Sequence, residues 1–283
     1  MTAVVALGGG HGLAASLRAA RRFATEITAV VSVADDGGSS GRLRRQLGLA
    51  AVGDLRRCIG ALAGDSLLAQ SLEHRFEGGD LDGHAAGNLL LAGLVETADD
   101  LVAGVEEACR LAETVGPVLP ATTGAIDLAA HTPDGLVTGQ VAVAQQEGVI
   151  DRLVTDPSDP PVLPDVTKAI EEADLVLMGP GSLYTSVLAV ATIPAVLEAL
   201  RATEARRVLI SNLTPDTFET RGYSVDRHVT SVLAHQVPVD VVLCPPDAAP
   251  RQSPVPVALH EISGPGVPGH DAVLLAEALQ AFK

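Results

Sequence analysis

The sequence predicts an α/β fold: a doubly wound, mostly parallel, Rossmann-like sheet with a small β-rich insertion. Three observations carry this. The apolar runs Val4-Val5-Ala6-Leu7 and Leu175-Val176-Leu177-Met178 lack polar alternation, as strands covered on both faces of a parallel sheet require. Each run ends in a glycine-rich turn that opens a helix, Gly8-Gly9-Gly10-His11-Gly12-Leu13 and Gly179-Pro180-Gly181-Ser182-Leu183. Strand and helix patterns alternate through most of the 283 residues and change character only between about 117 and 155.

The expected elements follow in order. A strand over 3–7, a helix over 13–23 and a strand over 27–34 open the chain, and helical periodicity returns over 54–63, 66–75 and 86–113. Between 117 and 155, Ile126-Asp127-Leu128-Ala129 and Gly135-Leu136-Val137-Thr138-Gly139 alternate in polarity and read as antiparallel strands with turns. The proline-rich Asp156-Pro157-Ser158-Asp159-Pro160-Pro161 is a loop leading into a helix over 165–172. A strand over 174–178, a helix over 182–191, a strand over 208–212, a helix over 225–234 and a strand over 239–243 resume the alternation. A last helix covers 271–282, and one α/β domain is expected over 1–283.

Composition excludes several function classes. A net charge of −16 argues against a nucleic-acid partner, which would demand clustered Lys and Arg. The local exceptions are Arg42, Arg44, Arg45, Arg56 and Arg57, which read either as a solvated helix face or as groups facing an anion. With no Trp, two Tyr and four Phe, base stacking on aromatic platforms is not available. No run of about 18 apolar residues suggests a membrane span, and no basic n-region precedes the strand at Val4, so neither a membrane partner nor a signal peptide is expected. Cys58, Cys109 and Cys244 are scattered, which fits reduced thiols in the cytoplasm. The eight histidines show no metal-ligand spacing.

The chemistry concentrates in a few strings. Both glycine-rich turns can present backbone N–H groups and a helix N-terminus to phosphates. The first, Gly10-x-Gly12-x-x-Ala15, is close to the dinucleotide fingerprint. Both turns end parallel strands, where open sheets bind ligands at the switch point, so the fold is expected to bring them together. Asp35-Asp36-Gly37-Gly38-Ser39-Ser40-Gly41-Arg42 follows the second strand. Its paired carboxylates could hold Mg²⁺ or a sugar and Arg42 a phosphate, or the string is a turn that caps the next helix. Asp54 in Gly53-Asp54-Leu55-Arg56-Arg57 reads as a helix N-cap or as a catalytic or metal-binding group. His84 and Asn88, four apart, can share a helix face, and Asn212 ends a strand. Ser182 lacks the Gly-x-Ser-x-Gly setting of a nucleophile and the Walker lysine is missing, so neither a serine hydrolase nor a P-loop NTPase is expected.

Five strings together resemble the YvcK family of gluconeogenesis factors: Leu7-Gly8-Gly9-Gly10-His11-Gly12-Leu13, Ala34 to Leu43, Gly53-Asp54-Leu55-Arg56, Gly83-His84-x-x-Gly87-Asn88-Leu89, and Gly179-Pro180-Gly181-Ser182-Leu183-Tyr184-Thr185-Ser186. That family is similar in fold to 2-phospho-L-lactate transferase, which attaches phospholactate to a deazaflavin. The resemblance implies a cytoplasmic protein that binds UDP-N-acetylglucosamine and supports cell shape and wall synthesis, without an established reaction, and relatives suggest a homodimer. It places Gly9, Gly10, His11, Gly12 and Leu13 with Gly179, Pro180, Gly181, Ser182 and Tyr184 around the nucleotide. It lines the crevice with Asp35, Asp36, Gly37, Gly38, Ser39, Ser40, Arg42, Asp54, Asn88 and Asn212. The alternative it leaves is a Mg²⁺-dependent transferase of the phospholactate type, with Asp35, Asp36 and Asp54 as candidate catalytic groups. A nicotinamide-dependent dehydrogenase would account for the first turn alone. The chain departs from the family pattern at Ala51-Val52, at Arg57, at 214–218, and in a shortened stretch after Leu243 that reads Pro245-Pro246-Asp247-Ala248-Ala249-Pro250.

Overall fold

The computed structural model describes residues 1–64, 66–213, 218–264 and 269–282. The chain runs β1 (Ala3–Gly8), α1 (Gly10–Ala20), β2 (Glu26–Val31), α2 (Gly38–Leu47), α3 (Gly53–Leu62), α4 (Leu67–Glu73), α5 (Ala86–Ala98), α6 (Leu101–Leu111) and β3 (Val118–Pro120). There follow β4 (Asp127–Thr132), β5 (Gly135–Thr138), α7 (Gln140–Ala144), β6 (Arg152–Asp156), α8 (Pro164–Glu172) and β7 (Leu175–Met178). A π-helical segment, Leu183–Leu188, then leads into α9 (Ala189–Ala191), α10 (Pro194–Ala202), β8 (Arg206–Ile210), α11 (Val225–Ala234), β9 (Val241–Cys244), β10 (Val257–Leu259) and α12 (Ala272–Gln280).

Seven strands form one parallel sheet in the order β10-β9-β8-β7-β1-β2-β3. The chain builds outward from β1 through β2 to β3, then returns to the other side of β1 with β7, so the switch point lies between β1 and β7. Val4 pairs with Leu175 and Leu7 with Met178 across that point. Val4, Val5, Ala6 and Leu7 are all at most 2% exposed, because α1 and α8 both pack on this strand and leave no face for a polar side chain. The expected doubly wound sheet is therefore observed. The short β3 belongs to it, hydrogen-bonded to β2, and not to the insertion.

The insertion is a three-stranded antiparallel sheet, β5-β4-β6, with α7 between β5 and β6 in the chain. Arg44 on α2 reaches Asp127 at 2.7 Å, and Leu153 N donates to Nε2 of His235 at 3.0 Å, tying this sheet to the body.

Two sequence expectations are corrected. The helix over 86–113 is two helices, since Asp99 takes a left-handed conformation (φ 53°) and Asp100 begins α6 by accepting from Ala103 N at 2.8 Å. An acidic side chain before an apolar repeat is a favourable N-cap, and it outcompetes continuation of the first helix. The Gly/Ser-rich string after Asp36 is helical from Gly38 and ends at Gly48 (φ 72°). Among the described residues no single helix is long and apolar enough to cross a membrane.

Candidate functional site

The two glycine-rich turns lie at the carboxyl ends of neighbouring strands, and the structure packs them backbone against backbone. A Cβ on Gly12 would stand 2.0 Å from the carbonyl oxygen of Pro180, so only glycine allows this approach. Ser16 on α1 donates to Gly179 O at 2.6 Å. Asn212, beyond the end of β8, accepts from Gly181 N at 2.8 Å and donates to Gly181 O at 2.9 Å. The second turn is thus held from both sides of the sheet's switch point.

Three cavities adjoin here. One of about 630 Å³ is lined by Gly10, Asp35, Ser40, Asp54, Asn88, Ser182 and Ser186, together with Arg42, Arg56, Arg57 and Arg75. A second, about 360 Å³, lies between the turns and shares Gly10, Ser182 and Ser186 with the first. A third, about 490 Å³, shares Asn212 and Leu213 with the second and is walled by Tyr223, Asp226, His228 and Arg251. They form one trough across the carboxyl edge of the sheet. The shortened stretch after Leu243 still walls its far end, through Asp247, Ala248, Ala249 and Pro250.

The expected site residues divide clearly. Gly10, Asp35, Gly37, Gly38, Ser39, Ser40, Arg42, Asp54, Asn88 and Ser182 line the cavity of about 630 Å³; Gly9, His11, Gly12, Pro180, Gly181 and Asn212 line the one between the turns. Gly9 packs so close to Asp54 that a Cβ there would meet Oδ2 at 2.4 Å, which sets the first turn directly on that carboxylate. Leu13 and Tyr184 do not face the trough. Leu13 is core, and the Tyr184 ring is 1% exposed with its hydroxyl 3.4 Å from those of Tyr223 and Ser231.

Asp35 and Asp36 part company. Asp35 lines the cavity, with Oδ1 accepting from Gly37 N at 3.0 Å. Burial pushes its carboxyl above the ordinary range; the Gly37 N–H opposes this, and the charge of Asp54 adds to it. Asp36 turns to the insertion, where its two oxygens accept from Gln140 N at 3.0 Å and Val141 N at 2.9 Å, at the start of α7. The carboxylate beside Asp35 in the cavity is therefore Asp54, held by Arg57 at 2.6 Å, and not its neighbour in sequence. Asp35, Asp54 and the Ser40 hydroxyl are hard oxygen donors of the kind Mg²⁺ takes, together with a ligand's phosphate oxygens. Among the described residues no group of three or more His, Cys, Asp or Glu side chains is placed to hold a metal alone.

The arginines divide as well. Arg56, 1% exposed, directs Nε to Asn88 Oδ1 at 3.3 Å and pairs with Glu73. Asn88 Nδ2 donates to Ser39 Oγ at 3.1 Å, and Ser39 Oγ meets His84 Nδ1 at 3.0 Å. Arg44 and Arg45 lie outside the cavity, on Asp127 and on Asp36 O. Thr185 and Ser186, which close the fifth family string, line the cavity too, and Arg75 lines it without any signal in its own string. Arg75 is placed by an antiparallel bridge to Ala85, a contact invisible to local pattern. Below the second turn, Glu219 Oε1 accepts from Tyr184 N at 3.2 Å, and burial raises this carboxyl to about 7.

A family model described as 2-phospho-L-lactate transferase CofD matches residues 4–258. The chain belongs to the CofD family. Within it, a gluconeogenesis-factor homologue from Mycobacterium tuberculosis is 43% identical over 98% of this chain and 89% of its own. The gluconeogenesis factor of Bacillus subtilis is 38% identical over 82% of this chain and 74% of its own. The crystal structure of a UPF0052 family member from Bacillus halodurans superimposes with a TM-score of 0.91 at 35% identity, covering 99% of this chain and 98% of that one. The expected membership and α/β architecture both hold. Of the departures from the gluconeogenesis-factor pattern, residues 214–217 lie outside the described residues.

Proposed function

We propose that this CofD-family chain binds a nucleotide sugar, UDP-N-acetylglucosamine, and acts in the cytoplasm as a regulatory protein linked to cell shape and wall-precursor metabolism. One observation carries this reading: adjoining cavities run across the two glycine-rich turns, and the one of about 630 Å³ is lined by Arg42, Arg56, Arg57 and Arg75 in a chain of net charge −16. The turns offer backbone N–H groups at the start of α1 and after Gly181, suited to a diphosphate. The trough continues to both sides, with room for a base at one end and a sugar at the other. The assembly proposed is a homodimer.

Thermal unfolding with UDP-N-acetylglucosamine tests the proposal. A ligand at a hundredfold its Kd stabilises by about 2.7 kcal/mol, which shifts the melting temperature by several degrees. No shift at millimolar ligand overturns it.

The cavity also supports a second reading, a Mg²⁺-dependent transferase of the phospholactate type. Asp35 and Asp54, both facing the cavity, favour it. They would hold the ion, which when bound would offset charge on a leaving phosphate. Transfer from an activated donor to a deazaflavin acceptor, abolished in Asp35→Asn, is the expected result; no turnover with wild type rejects it.

A further inference from the structure

The cavity that holds Asp35 and Asp54 opens to the turns through Gly10, Ser182 and Ser186, while another part of its wall, around Gly83 and Asn88, is basic. Arg42 donates to Asp82 O and Arg75 to Gly83 O, each at 3.0 Å. Two guanidiniums are therefore anchored on consecutive carbonyls. Among the described residues neither forms an ion pair. The nearby Asp82 carboxylate does not answer them, since its Oδ1 accepts from Gly78 N at 2.8 Å. Arg42 Nε and Arg57 Nε are both buried without an acceptor among the described residues. Buried donors are ordinarily satisfied, so such orphans point to a missing partner. Behind them Arg56 is oriented by Asn88 and Glu73, adding a third fixed guanidinium to the wall.

Like charges held side by side repel, and free N–H groups in a cavity need acceptors. A phosphate dianion meets both needs, because its oxygens accept from several guanidinium N–H groups at once. We infer that the wall formed by Arg42, Arg56, Arg57 and Arg75 is a second anion subsite, distinct from the glycine-rich turns, that takes a phosphate monoester group. The word second rests on the nucleotide-sugar reading, in which the turns hold the diphosphate. The phosphate belongs to a small molecule separate from the nucleotide sugar, whose distal sugar carries no phosphate.

Calorimetric titration of inorganic phosphate into the full chain tests this. Phosphate binds wild type, and Arg75→Gln weakens that binding at least tenfold; Arg42→Gln serves as the second variant if Arg75→Gln does not fold. Phosphate also binds protein saturated with UDP. Phosphate binds beside UDP-N-acetylglucosamine too, as a separate molecule; if that nucleotide sugar excludes it where UDP does not, the wall holds the neutral sugar and the inference is overturned. The inference is overturned if wild type does not bind phosphate, if both arginine variants bind it as well as wild type, or if UDP alone displaces it. If UDP does not bind, the nucleotide reading falls, while wild type against Arg75→Gln still decides the anion subsite.

Discussion

Asn212 holds the peptide of Gly181 from both sides: Gly181 N donates to Oδ1 at 2.8 Å, and Nδ2 donates to Gly181 O at 2.9 Å. One amide thereby fixes the second glycine-rich turn to the end of β8, in the way a strand neighbour would. The turn's next residue, Ser182, borders the two cavities nearest the switch point. Asn212→Ala removes both bonds, and the expected loss is about 1–3 kcal/mol in urea unfolding, with weaker binding of UDP-N-acetylglucosamine. Unchanged stability and affinity would show that the turn is held elsewhere.

Gly12→Ala should be worse than its size suggests. The added methyl would stand 2.0 Å from Pro180 O and 2.8 Å from Gly181 N, so the two turns must separate. Gly93, inside α5, has nothing within 4 Å of its Cβ position. There Ala should stabilise by about 0.5–1 kcal/mol through helix propensity alone. Opposite signs for these two Gly→Ala changes in thermal melts are the expected outcome, and equal effects would reject the close contact.

The contrast also shows where the sequence was readable. Strands β1 and β7 were legible because burial on both faces leaves only apolar residues, a pattern that needs no partner to recognise. The meeting of their turns followed from the switch-point rule. The pairing of Asp35 with Asp36 did not survive. Along a chain leaving a strand, adjacent side chains diverge, so one carboxylate reached the cavity and the other the insertion. Arg75 and the Asp35–Asp54 pairing depend on contacts between distant segments, which no local string records. Helix α2 was obscured by its own composition, since Gly38, Ser39, Ser40 and Gly41 resemble a loop. Tertiary anchors, among them Arg44 on Asp127 and Arg45 on Asp36 O, outweigh that weak propensity.

Asp36 is expected to matter for the insertion. It satisfies Gln140 N and Val141 N, two donors that α7 itself leaves open, and a carboxylate at a helix N-terminus is also favoured by the helix dipole. Asp36→Ala should cost about 1–2 kcal/mol and speed hydrogen exchange of amides in 140–144. Exchange as slow as in wild type would remove Asp36 from this role.

Glu219 gives a pH dependence with a definite sign. Burial, opposed by donors including Tyr184 N, raises its carboxyl from 4.5 to about 7 in the folded chain. Between those values the folded state holds a proton that the unfolded state has released, so stability falls as pH rises. The penalty is absent below about pH 4, grows through the window from 4.5 to 7, and is constant above it. At one pKa unit per 1.36 kcal/mol, its full size is about 3 kcal/mol. Glu219→Gln keeps a carbonyl oxygen for Tyr184 N and cannot ionise. The variant should match wild type at pH 4 and exceed it by a margin that grows towards pH 7.5. Urea unfolding of both chains across that range measures the difference, and a gap independent of pH would show that folding leaves the Glu219 carboxyl at its ordinary value.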